Sequence, residues 1–240
     1  VKMANSSESI SVAVRIRPLN TIELDAGERT VWCESEQGID QLDTSIKGKS
    51  LQNFTFPQTF GPASTTGQIY DAVVDDIVES CMDGKNGTVF AYGQTSSGKT
   101  FTMKGDDGNL DQVGIIPLGL RHVFRTIKSN SHREYLLRVS YMEIYNECVK
   151  DLLTDADIDL TVHEDRERGV FVRGLREVIV TSVEEVLAIM EEGEQRRHYG
   201  RTSMNDNSSR SHTIFRLVVE SKALADIEDM QMSLFHPSSP

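Results

Sequence analysis

Basic residues are scarce in this chain of 240 residues: 25 Lys and Arg stand against 37 Asp and Glu, for a formal charge of −12. A protein whose main partner is nucleic acid carries a basic footprint, so that class is excluded. An acidic protein partner is disfavoured as well, unless the cations gather on one face. Cysteine is scarcer still. Cys33, Cys81 and Cys148 are odd in number, far apart, and without a CxxC or a histidine at ligand spacing. That excludes a disulfide framework and reads as reduced, packing thiols of a cytosolic protein. No apolar run approaches the length of a membrane-spanning helix, and the stretch from Val1 to Ser7 is no signal peptide, so no membrane role is expected. There is no internal repeat. The chain opens on Val1 rather than Met, as a fragment would, and its length suits one α/β domain with a sizeable core.

What is present is organised around Gly87-Thr88-Val89-Phe90-Ala91-Tyr92-Gly93-Gln94-Thr95-Ser96-Ser97-Gly98-Lys99-Thr100. A short apolar run breaks into a glycine-bounded loop that ends in Gly-Lys-Thr, the GxxxxGK[ST] pattern of a phosphate-binding loop. Such a loop needs a strand before it and a helix after it, so that backbone N–H groups point at phosphate. Val89 to Tyr92 reads as a buried strand, and Lys99 to Met103 as the start of the helix. Gly93, Gln94, Thr95, Ser96, Ser97, Gly98, Lys99 and Thr100 would cradle the phosphates, with Lys99 reaching the β- and γ-phosphates and Thr100 holding Mg²⁺. The plain alternative is a glycine-rich turn.

Along the rest of the chain, Ile10, Val12, Val14 and Ile16 alternate with Ser11, Ala13, Arg15 and Arg17 up to Pro18, which predicts a strand. Arg15 and Arg17 fall on one side, functional or simply solvated. Thr21 to Phe60 reads as short antiparallel strands and loops. Thr65-Thr66-Gly67-Gln68 has capping-box spacing and opens a helix with the stripe Ile69, Val73, Val74, Ile77, Val78 and Cys81, ending at Gly84. After a glycine-rich acidic loop from Lys104 to Asn109, a helix follows Pro117 through Leu118, Leu120, Val123, Phe124 and Ile127. Glu134 to Tyr145 predicts a long buried strand, with a helical turn after it from Asn146 to Leu153. Leu160–Val162 and Val170–Val172 predict a hairpin, and Val178–Val180 a short strand. Ser182-Val183-Glu184-Glu185 is a second capping box, opening a helix on Val183, Val186, Leu187 and Met190. Thr213 to Glu220 is a further strand.

Asn205-Asp206-Asn207-Ser208-Ser209-Arg210-Ser211-His212 gathers hydroxyls, an amide and a guanidinium just before that strand. Alone it is a polar surface loop; beside a phosphate loop it has the groups that bind Mg²⁺ and sense a γ-phosphate. Together with Val12 to Pro18, Tyr92 to Thr100, and Ser140 to Glu147 with Asp151-Leu152-Leu153, it resembles the kinesin motor domain, in order from about Ser9 to Ser221. Arg138 to Tyr145 and Arg197-His198-Tyr199-Gly200 look most like the centromere-associated kinesins.

The resemblance implies an α/β, three-layer P-loop NTPase fold, with a central mostly β-sheet flanked by helices. It implies ATP and Mg²⁺ as cofactors, and ATP hydrolysis coupled to movement along microtubules. Arg15, Arg17 and Pro18 would line the adenine side with Phe101 against the base. Asn205, Ser208 and Ser209 would form switch I, with Ser209 joining Thr100 on Mg²⁺, Ser208 holding the attacking water, and Arg210 pairing with a switch II glutamate. Microtubules would be the partner, through a charged hairpin around Arg166, Arg168 and Arg173, and a stalk outside this sequence could make the protein a dimer. Cytoplasm and the microtubule cytoskeleton, including spindle or kinetochore, would be the location. Residues 222–240 hold no Asp-x-x-Gly of switch II. The expected division is therefore a partial motor domain over 9–221, incomplete at its C-terminal side, and a divergent disordered tail over 222–240. A non-catalytic nucleotide-binding or interaction fragment, and another P-loop motor of the myosin kind, are the competing readings.

Overall fold

The computed structural model describes residues 10–43, 50–106, 112–156, 158–166, 169–199 and 211–224. They form two compact units, one of residues up to 79 with 87–119, the other of 80–86 with the residues from 120 onward.

In the first unit, β1 (Ala13–Arg15) runs parallel to β5 (Gln58–Phe60), with Arg15 opposite Phe60. This ladder is shorter than the alternation over 10–17 predicts. Ile10 and Val12 are 72% and 47% exposed, and an apolar face without cover gives the strand nothing to hold its outer end. A short helix unforeseen in the sequence, α1 (Thr21–Asp25), follows; Asn20 Oδ1 accepts the Glu23 N–H, and the Glu23 carboxylate accepts the Asn20 N–H. The short strands expected before Phe60 are there: β2 (Trp32–Ser35), β3 (Gly38–Leu42) and β4 (Ser50–Thr55) make an antiparallel meander.

The capping box at Thr65 is formed as its spacing predicts, with Thr65 Oγ1 accepting the Gln68 N–H and Gln68 Oε1 accepting the Thr65 N–H. The helix it opens has three parts: α2 (Thr66–Ile69), a π-helical turn (Tyr70–Val74) and α3 (Asp75–Met82), with Gly84 beyond at φ 89°. Ile69, Tyr70 and Val74 bury against Ile115, and Phe60, Val73, Val78, Val89, Met103 and Leu118 close around them. Each such side chain taken fully from water contributes roughly 1.5–3 kcal/mol, so this cluster is what anchors the first unit. Next come α4 (Lys99–Lys104) and α5 (Ile115–Ser129), the latter starting two residues before Pro117. Proline is tolerated there because first-turn N–H groups have no helical partner.

The stretch Val89 to Tyr92 is not the buried strand its composition predicts. It has no ladder partner among the described residues, and Phe90 and Tyr92 stand 78% and 93% exposed. Apolar residues give a strand its reason to be buried, but the ladder needs a second strand, and none of the described ones supplies it.

In the second unit, β6 (Arg133–Tyr145) is the spine. It pairs along its whole length with β11 (Ser211–Ala223), antiparallel, Tyr145 opposite Ser211 and Arg133 opposite Ala223. The first half of β6 also pairs with β10 (Val178–Val180), and the second half with β7 (Cys148–Asp151). β7 leads to β8 (Asp159–Asp165), which makes the expected hairpin with β9 (Gly169–Arg173). The helical turn predicted after Tyr145 is instead a two-residue hairpin. Asn146 and Glu147 both have positive φ, 48° and 67°, the backbone of a type I′ turn, which reverses the chain at once and pairs Cys148 with Tyr145.

The helix α6 (Val183–Tyr199) starts where the second capping signal predicts, with Ser182 Oγ accepting the Glu185 N–H. Glu185 reaches back to the N–H of Thr181 rather than of Ser182. Val186 and Met190 are buried, and Ile189 packs with Phe215 and Val178 around Tyr141, Leu152 and Leu153. β11 extends the strand expected over 213–220 at both ends.

Candidate functional site

The loop from Gly93 to Thr100 is shaped by its glycines. Gly93 has φ 155°, and a Cβ there would stand 2.5 Å from Ser97 Oγ; Gly98, at φ 93°, precedes α4 in the left-handed region. Either position would be strained by any side chain. Ser96 is left-handed too, at φ 64°, which for a residue other than glycine costs roughly 1–2 kcal/mol. The Ser97 N–H donates to the Gln94 carbonyl at 3.2 Å, which tightens the turn. Lys99 opens α4, and its side chain folds back over the loop, Nζ donating to the carbonyls of Gly93 and Gln94, both at 2.8 Å.

This geometry fits a polyphosphate. Glycine at both ends of the loop allows the positive φ that its turns need, and the ammonium is held by neutral carbonyls, which a charged phosphate oxygen displaces on electrostatic grounds. Thr100 lies exposed in the first turn of α4, beside that ammonium in sequence, with a hydroxyl of the kind that binds Mg²⁺. The other predicted Mg²⁺ ligand, Ser209, lies outside the described residues, as do Asn205, Ser208 and Arg210.

The residues predicted for the base are placed as follows. The Arg15 guanidinium lies over the Phe101 ring, 5.1 Å from its centroid, and Nη1 donates to Thr66 Oγ1 at 3.1 Å and Thr102 Oγ1 at 2.9 Å. Burial pulls its pKa below the usual arginine value, yet such a group stays a cation at neutral pH. Arg17 turns to the loop. Its Nε donates to the Ser96 carbonyl at 2.8 Å, Nη1 to the Pro18 carbonyl at 2.9 Å, and Nη1 and Nη2 to the Glu23 carboxylate at 2.7 and 2.5 Å. Pro18 itself is exposed. Glu23, Thr66 and Thr102 are site residues that sequence reasoning missed. For Glu23 a signal existed, because Asn20-x-x-Glu23 has the capping-box spacing that was recognised at Thr65 and Ser182.

The second unit carries a polar cluster on the two sequence flanks of 200–210. Arg197, near the end of α6, donates from Nε to Glu143 Oε1 at 3.0 Å, from Nη2 to Ser211 Oγ at 2.8 Å, and lies 3.5 Å from Glu194 Oε2. The Tyr141 hydroxyl donates to Glu194 Oε1. Burial first, and the Glu194 carboxylate second, push the Tyr141 pKa far above its ordinary value, so it stays a neutral donor. The hairpin of β8 and β9 carries Arg166 and Arg173; Arg168 lies outside the described residues.

Comparison with known proteins follows the same line. Residues 15–236 match the model of a family described as kinesin motor domain. The chain is 50% identical over 226 residues to kinesin-like protein KIN-7L of rice, covering 90% of this chain and 34% of that protein. To kinesin-related protein 4 of Dictyostelium discoideum it is 46% identical, covering 88% of this chain and 11% of the relative. A solved structure described as a fast kinesin superposes with a TM-score of 0.81 at 37% identity, over 92% of this chain and 61% of that one. The chain therefore spans about a third or less of the two curated relatives and 61% of the solved chain.

Proposed function

Because this chain belongs to the kinesin motor-domain family, we propose that it is the nucleotide-binding portion of an ATP-hydrolysing motor that moves along microtubules. The observation that carries the reading is the Gly93–Thr100 loop, with two glycines whose positive φ would strain any side chain and the Lys99 ammonium resting on loop carbonyls that phosphate oxygens can replace.

Each residue has a part in it. Gly93 to Gly98 hold the loop open to the phosphate chain, and Lys99 exchanges its carbonyl partners for the β- and γ-phosphates. Thr100 and Ser209 would hold Mg²⁺, which would supply charge neutralisation to the phosphates. Asn205, Ser208 and Arg210 form the γ-phosphate sensor, with Ser208 on the attacking water. Arg15 stacked on Phe101, together with Pro18, faces the adenine, whereas Arg17, expected beside them, turns to the Ser96 carbonyl of the loop. The hairpin of β8 and β9, with Arg166, Arg168 and Arg173, is a microtubule contact in an otherwise acidic chain.

The protein works in the cytoplasm on the microtubule cytoskeleton, with no nucleic-acid or membrane partner, and as a dimer through a stalk. The relatives above are a KIN-7 kinesin and a kinesin-related protein, and neither name supports the likeness to centromere-associated kinesins, so no spindle or kinetochore role is proposed.

Lys99→Ala tests the assignment. The ammonium is the loop's only side-chain cation, and loss of a charge-assisted contact weakens nucleotide binding by more than tenfold on the scale of roughly 1.5–3 kcal/mol for such bonds. A titration with a fluorescent ATP analogue that returned wild-type affinity would overturn it.

A further inference from the structure

We propose that Glu23 is a positioning residue of the phosphate loop, acting through Arg17 to hold the Ser96 carbonyl in place. The inference rests on the nucleotide-binding reading above and adds a residue that lies in none of the phosphate-binding or switch motifs.

Ser96 sits at the crown of the loop with φ 64°. A left-handed serine is costly by itself, and it persists where surrounding contacts over-determine it. The contact here is Arg17 Nε on the Ser96 carbonyl at 2.8 Å, across 79 residues of sequence. An arginine that merely touched a carbonyl from solvent would fix nothing. This one cannot swing, because the rest of its fork is committed: Nη1 to the Pro18 carbonyl and Glu23 Oε2, Nη2 to Glu23 Oε1. Bidentate pairing of this sort sets the plane of the guanidinium as well as its position.

Glu23 in turn is held by the helix it belongs to. The Asn20 N–H donates to Glu23 Oε2 at 2.8 Å, and the Glu23 N–H donates to Asn20 Oδ1 at 2.9 Å. The capping box of α1 thus presents the carboxylate, the carboxylate orients the guanidinium, and the guanidinium fixes the strained crown. Arg17 and the Asn20 amide also hold the Glu23 pKa down at about 2, so the carboxylate is charged at any working pH.

The arrangement matters most when nucleotide binds. Before binding, the loop is tied from inside by Lys99 on the Gly93 and Gln94 carbonyls. Once the ammonium moves to phosphate that tie is gone, while the tie through Arg17 stays. Glu23 therefore preserves the loop's shape in the loaded form and acts on the phosphate chain rather than on the base.

The test uses the full-length protein and competition against a fluorescent ADP analogue, with ATP, GTP and inorganic tripolyphosphate as the three competitors. Glu23→Gln keeps the shape of the side chain but loses its charge and one acceptor. It is expected to weaken all three by a common factor of roughly tenfold, the worth of a charged hydrogen bond, in a protein that still unfolds cooperatively. Wild-type binding of all three would overturn the inference. Loss for ATP with tripolyphosphate unaffected would overturn it too, by assigning the pair to the base. Lys99→Ala is measured alongside: if it binds like wild type, the nucleotide reading itself fails, whereas a weakened Lys99→Ala beside an unaffected Glu23→Gln condemns the positioning role alone. Should Glu23→Gln not fold, Glu23→Asp serves, since it keeps the charge but draws the carboxylate back by one methylene; it too is expected to weaken all three ligands, and undiminished binding overturns the proposal.

Discussion

Replacing Gly193 with alanine should destabilise the second unit, although helix propensity predicts the reverse. Gly193 lies inside α6 and is buried. In a helix interior, glycine to alanine gains roughly 1 kcal/mol. Here the new Cβ would stand 2.6 Å from Tyr141 Cδ1 and 3.1 Å from Cε1, with Leu152 Cβ at 3.4 Å. Those ring atoms cannot easily yield. Tyr141 is 2% exposed, meets Phe215 edge to face at 6.1 Å and 71°, and is tethered through its hydroxyl to Glu194. Overpacking of this kind costs about 1–3 kcal/mol, and a ring that shifts to make room loses its hydrogen bond, worth about 1 kcal/mol more. Set against the propensity gain, the net is a loss of about 1–3 kcal/mol, a sizeable part of a typical 5–15 kcal/mol. Urea unfolding at equilibrium measures it, with Ala188→Gly on the exposed face of the same helix as the propensity control, expected to lose about 1 kcal/mol. If Gly193→Ala came out as stable as the parent or more so, the close approach of α6 to Tyr141 would be wrong.

Two further predictions follow from local geometry. Tyr141→Phe removes the donor to Glu194 and should cost about 1 kcal/mol. Because the folded pKa of Tyr141 lies above its unfolded value of 10, its contribution is complete below pH 10 and fades as pH rises beyond, so the fall in stability above pH 10 should be shallower in Tyr141→Phe than in the parent; parallel slopes in alkaline urea titrations would contradict the burial of that phenol. Glu147→Gly, at φ 67° in the turn between β6 and β7, places glycine where a type I′ turn prefers it and should raise the thermal midpoint, equivalent to about 0.5–1 kcal/mol; a lower midpoint would count against the turn.

Where a signal is carried by neighbours in sequence, it was legible. The capping boxes at Thr65 and Ser182 start helices within a residue of where their spacing puts them. The long runs at Glu134–Tyr145 and Thr213–Glu220 are strands, as their composition predicts, while their pairing with each other, between segments about seventy residues apart, is seen only in the structure. The errors have physical causes. Asn146 and Glu147 look like a helix start by composition, but an asparagine followed by a residue that accepts positive φ also makes a two-residue hairpin, and the pairing of Cys148 with Tyr145 decides for the hairpin. The π-helical turn at Tyr70–Val74 leaves no mark in a stripe of period 3.6, since a single widened turn shifts the buried face by only one position.

The candidate site divides along the same line, and the division says what holds it together. Its glycines, its lysine and its threonine stand within eight residues, so the loop's identity is written locally and survives whatever surrounds it. Its rigidity is not local. The apolar run before it, Val89 to Tyr92, reads as the strand that would anchor the loop, but only Val89 joins the core of the first unit, while Phe90 and Tyr92 face outward. Among the described residues no strand pairs with that run, and the loop is braced from its sides. In this chain that is done by Arg17 on Ser96 and by Arg15 on Thr66 and Thr102, contacts that span 79, 51 and 87 residues. Spacing within one stretch of sequence cannot reveal such pairs. The alternation over 10–17 puts Arg15 and Arg17 on one side of a strand, whereas β1 ends at Arg15 and leaves Arg17 beyond it; that one arginine braces the helix after the loop and the other the loop's strained crown emerges only when β1 is laid beside β5 and the loop is brought to it.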